Sequence, residues 1–86
     1  MPIPANIQRR HILTVMRQID RGRVIPSKRH ARKVACIDSD NSYPVKILIS
    51  WGYEVATSQE LCYSSFTTNE ATSYLENLSF RINRIN

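Results

Sequence analysis

Between Tyr43 and Ala56 the apolar residues Val45, Leu48, Ile49, Gly52, Tyr53 and Ala56 recur at i, i+3, i+4, i+7, i+8 and i+11. That spacing draws one continuous stripe on a helix and no coherent face on a strand. Pro44, with its fixed φ and missing N–H, suits the first helical position, with Ser42 or Tyr43 as the cap. The stripe predicts a core-facing helix on which the rest of the chain leans. Lys46 and Ser50 fall off the stripe, which presents Lys46 in the first turn either to solvent or to a ligand. Trp51 sits beside the stripe, where it either packs at the rim of the core or stacks on a base or partner.

The flanking segments supply the remaining elements. After a flexible arm over residues 1–5 with Pro2 and Pro4, Asn6 is a good N-cap for a helix from Ile7 to Arg21, and Gly22 is its stop. Ile12, Val15, Met16 and Ile19 give this helix a buried stripe, and Arg10, Thr14, Arg17 and Arg21 line the opposite side. Pro26 and Ser27 open a loop within 23–33. The apolar run Val34, Ala35, Cys36 and Ile37 then predicts a strand over 31–37, bounded by turn formers from Asp38 to Ser42. Beyond the central helix, Leu61 and Phe66 anchor a loop over 59–66. Thr67 and Glu70 form a capping box for a third helix carrying Ala71, Tyr74, Leu75 and Leu78. Phe80 and Ile82 alternate with Arg81 and Asn83, predicting a closing strand that pairs with 31–37. The expectation is a small single α+β domain, in the order helix, strand, helix, helix, strand, with a two-stranded sheet packed on the helices.

Size and residue chemistry argue against an enzyme. A chain of 86 residues buries only about 60–65% of its unfolded surface, which leaves little depth for a catalytic cleft. His11 and His30 lack ligand partners at metal spacing, Cys36 and Cys62 form no Cys-x-x-Cys pair, and Gly22 and Gly52 are too isolated to cradle phosphates. Asp38 and Asp40 read as turn formers. No metal and no cofactor is expected. The two cysteines, 26 positions apart without a signal-type apolar segment, predict reduced thiols packed as small core residues in a cytoplasmic protein. No apolar run approaches the roughly 18 residues that a membrane span requires.

Charge is segregated along the chain. Residues 1–37 hold nine basic side chains against Asp20 alone, a net +8, whereas residues 38–86 hold three basic and six acidic ones, a net −3. Uncompensated charge of one sign repels itself unless a partner or counterions neutralise it, so this half has the footprint of a polyanion binder. The candidate nucleic-acid contacts are Arg10, Arg17, Arg21, Arg23, Lys28, Arg29, Arg32 and Lys33, together with Lys46. They would act mainly on phosphates, with DNA the favoured ligand. Arg81 and Arg84 extend the basic set. The alternatives are a regulator or adaptor docking the same face on an acidic protein partner, and a small phage or mobile-element regulator that binds DNA as a homodimer joined at the sheet edge, so the chain is expected to be a monomer or a homodimer.

A set of motif residues resembles a small N-terminal domain of McrA-like, modification-dependent HNH restriction endonucleases and of related short defence-associated proteins. The matching positions are His11-Ile12, Gly22, Pro26, Lys28-Arg29, Tyr43-Pro44-Val45-Lys46, Leu61, Phe66, Leu75 and Leu78-Ser79-Phe80, spread over residues 11–82. Thr67-Thr68 and Ser79 depart from the family pattern, which often has glycines there, and this bears on the loop geometry at both places. The resemblance implies a DNA-associated accessory module in restriction or host defence, with Lys46 and the adjacent Tyr43 as phosphate or partner contacts. It implies no nuclease activity, because the HNH motif belongs to another domain of those enzymes.

Overall fold

The computed structural model describes residues 3–25, 34–38 and 41–84. Its elements are α1 (Arg9–Asp20), β1 (Val34–Asp38), β2 (Asn41–Pro44), α2 (Val45–Thr57), a 3-10 turn at Tyr63–Ser65, α3 (Thr68–Asn77) and β3 (Arg81–Arg84). The α+β class matches the expectation, but the sheet has three strands. All are antiparallel, in the order β2-β1-β3.

The additional strand is β2, in residues read as turn and helix cap. Asp38 pairs with Asn41 and Cys36 with Tyr43, so only two residues separate β1 from β2. Within β2, Asn41 and Ser42 are exposed and Tyr43 and Pro44 buried, so the strand enters the core only where it leads into α2. Pro44 pairs with Ala35 at the end of this edge strand, where a missing N–H is tolerated, and it also serves as the N-cap of α2. The helix thus begins one residue later than expected, at Val45.

Burial of α2 reaches beyond a single stripe. Ile47, Ser50 and Trp51 are buried together with Val45, Leu48, Ile49 and Gly52, because α1, α3, the sheet and the turn at 63–65 enclose its first two turns from several sides. Ser50 is accommodated because its hydroxyl donates to the Leu61 carbonyl at 2.7 Å. A polar group buried without such a partner would cost about 1–3 kcal/mol. Gly52 allows α1 to approach α2 closely. A Cβ at position 52 would stand 2.8 Å from Ile12 Cδ1 and 3.1 Å from Ile7 Cγ2.

The N-terminal segment is tied to this core. Ile3, in the segment expected to be a flexible arm, is buried, as is Ile7. The Tyr74 hydroxyl donates to the Ile7 carbonyl at 2.7 Å. These contacts hold the segment before the helix in a non-helical path with a turn at residues 5–6, so α1 starts at Arg9 with the extended Gln8 as its cap instead of Asn6. The Gln8 N–H donates to His11 Nδ1 at 2.9 Å, an imidazole in the role that a glutamate plays in the usual capping box.

Two helices end in the same device. At Gly22, φ is +109°, and the Gly22 and Arg23 N–H groups reach back to the Ile19 and Gln18 carbonyls. At Ser79, φ is +70°, and the Ser79 and Phe80 N–H groups reach the Glu76 and Leu75 carbonyls. Both are Schellman motifs, one with the expected glycine and the other with a serine in its place. Thr67 and Glu70 form the expected capping box of α3.

Candidate nucleic-acid interface

The outer face of α1 carries the arginines that the periodicity placed there. Arg10, Arg17 and Arg21 are exposed, and Ile12, Val15 and Met16 on the inner face are buried. Arg17 stands seven positions after Arg10, about 10 Å along the helix, and Arg21 follows at the C-cap. Among the described residues none of the three forms an ion pair with a carboxylate. Arg10 Nε donates to Gln8 Oε1 at 3.1 Å, which steadies the side chain without neutralising it. The Thr14 hydroxyl is spent on the Arg10 carbonyl at 2.9 Å. Asp20, the acid on this helix, is turned toward Tyr43.

Three other candidates are engaged inside the fold. The Arg23 guanidinium lies 3.7 Å from the centre of the Trp51 ring and pairs with Glu54 at 3.1 Å, and its Nη1 donates to Gln18 Oε1. Tyr43 is only 2% exposed, and its hydroxyl donates to Asp20 Oδ1 at 2.8 Å. Burial first, then that hydrogen bond, push the Tyr43 hydroxyl up to about 12. Lys46 is half-buried. Its Nζ donates to the Tyr63 carbonyl at 2.8 Å and stands 5.4 Å from the centre of the Phe66 ring, because the segment after α2 folds back over that side of the helix. Lys46 is thus turned inward to the chain, not presented from the first turn as its place off the stripe suggested. Lys28, Arg29, Arg32 and Lys33 lie outside the described residues, as does His30.

Two further residues depart from their sequence reading. Arg9, which the periodicity did not single out, donates from Nη1 to the Leu78 carbonyl at 2.8 Å and covers Phe80 at 4.2 Å, pinning α1 to the turn between α3 and β3. Cys36 is a buried core residue whose thiol is pushed up to about 12, chiefly by burial and then by Asp38. Cys62, also expected to be a core residue, is instead exposed at the start of the 3-10 turn, with Sγ 3.0 Å from Ser64 Oγ. Neither is in a disulfide.

A cavity of about 410 Å³ lies beside α2, with Trp51, Glu54, Glu60, Cys62 and Tyr63 among its walls. Of these, the sequence flagged only Trp51 as a binding candidate. The others come together because the chain after Thr57 doubles back, and no local spacing announces that. No helix among the described residues is long and apolar enough to cross a membrane. No family model matches the chain, and neither a curated protein nor a solved structure shows significant similarity to it.

Proposed function

We propose that this protein is a non-enzymatic nucleic-acid-binding module, with DNA the favoured ligand, acting through the arginine face of α1 and the basic segment that follows it. The observation that carries the reading is the set of Arg10, Arg17 and Arg21, exposed on one face of a helix whose other face is locked into the core, with no described carboxylate paired to any of them. Guanidinium groups on a rigid helix can grip successive phosphates bidentately while losing little further order on binding. The contacts are to the backbone, so affinity is sequence-indifferent and salt-dependent. Lys28, Arg29, Arg32 and Lys33 would add phosphate contacts in the same half of the chain. Arg23, Tyr43 and Lys46 act as structural members, since each is already committed to a partner within the chain. The motif likeness to McrA-like N-terminal domains adds a restriction or defence setting in the cytoplasm.

Fluorescence anisotropy with labelled duplex DNA, single-stranded DNA, RNA and polyglutamate, on wild type and an Arg10→Gln, Arg17→Gln, Arg21→Gln variant, tests this. Saturable binding of duplex DNA at physiological salt, weakened in the variant, is expected. Binding of polyglutamate with nucleic acid left untouched would overturn the reading in favour of an acidic protein partner.

A further inference from the structure

We infer that the cavity beside α2 binds a guanidinium group, the side chain of an arginine in a peptide partner. Two aromatic residues, Trp51 and Tyr63, and two acidic ones, Glu54 and Glu60, line it, and among the described residues no lysine or arginine does. Its volume of about 410 Å³ falls within the roughly 300–1,000 Å³ of small-ligand sites. The chain itself displays what these walls accept. Arg23 lays its guanidinium 3.7 Å from the Trp51 ring centre and sets Nη2 3.1 Å from Glu54 Oε1, a planar cation held by a ring face and a carboxylate at once.

That internal pair answers Glu54 and leaves Glu60. Glu60 has no hydrogen bond or ion pair among the described residues, which therefore leave its negative charge unanswered. Ser50 adds no competing donor, because its hydroxyl is directed to the Leu61 carbonyl. What remains is a carboxylate beside aromatic surface, which favours a cation with an apolar, stackable face. Arginine satisfies both requirements, while the compact, strongly hydrated ammonium of lysine satisfies only the first. The site uses residues separate from the α1 arginines, so it stands or falls independently of nucleic-acid binding.

Trp51 is the only tryptophan, so its emission reports on the cavity. Titration with a blocked Gly-Arg-Gly peptide, with the citrulline counterpart as control, is expected to shift Trp51 emission saturably with Kd in about the millimolar range. Citrulline keeps the shape and hydrogen bonds but loses the charge, and no shift is expected from it. The exposed Glu60→Gln change should weaken the response about tenfold, as for one charge-assisted hydrogen bond. Alkylating Cys62, whose exposure contrasts with the buried Cys36, should block the response while far-UV circular dichroism is retained. An equal response to citrulline, an unchanged response in Glu60→Gln or after alkylation, or no saturable shift from the arginine peptide would each overturn the assignment.

Discussion

His11 shows how one residue carries two kinds of information. Its Nδ1 accepts the Gln8 N–H, so the α1 cap requires an unprotonated nitrogen there. Burial, and then the neighbouring Arg10 charge, lower its pKa below the ordinary 6.5. The folded value lies below the unfolded one, so the neutral form is favoured in the fold. This contribution to stability is fully present above pH 6.5 and is lost as pH falls through the lowered folded value. Urea unfolding of wild type and His11→Ala at neutral pH and at pH about 5 should show the difference between them shrinking at the lower pH; a constant difference would contradict the cap. The arginines of α1 were legible because helical period alone decides which side they occupy. Tyr43 and Lys46 were not, since their partners, Asp20 and the Tyr63 carbonyl, stand 23 and 17 positions away in sequence.

Among the elements, caps and stops were the most legible features where their chemistry is local. The Thr67 and Glu70 box and the Gly22 stop need only neighbours in sequence. The strand β2 was missed because Asn41 and Ser42 have turn-like composition, and their extended form comes from pairing with β1. The cap at Gln8 was missed because tertiary contacts of Ile3 and Ile7 hold the residues ahead of it in a non-helical path. The two Schellman motifs make a matched test of backbone strain. Among the described residues nothing lies within 4 Å of a Cβ at Gly22, so Gly22→Ala should cost about 1–2 kcal/mol from backbone conformation. Ser79→Gly removes the same strain and should gain up to about 1 kcal/mol, less the extra freedom of the unfolded chain. Paired urea titrations of both variants check this, and a destabilised Ser79→Gly would contradict the strain at position 79.

At the scale of the molecule, the fold turns most of the basic N-terminal helix outward while burying the central helix nearly all round. The core could be anticipated because Ile12, Val15, Leu48 and Leu75 follow helical period, and each is fully buried. The division of the cations into those that fasten the fold and those left for a ligand could not be, since Arg9, Arg23 and Lys46 are distinguished from Arg10, Arg17 and Arg21 only by what the chain brings up to them. That division is the central claim, and the salt dependence of duplex-DNA affinity tests it most directly. Removing one cation that neutralises a phosphate should reduce the slope of log K against log salt by about 0.9. The Arg10→Gln, Arg17→Gln, Arg21→Gln variant should therefore have a slope shallower by about 2–3, and Lys46→Gln one shallower by under about 0.5. A slope unchanged by the triple substitution, or a reduction in Lys46→Gln as large as that for an arginine, would contradict the account.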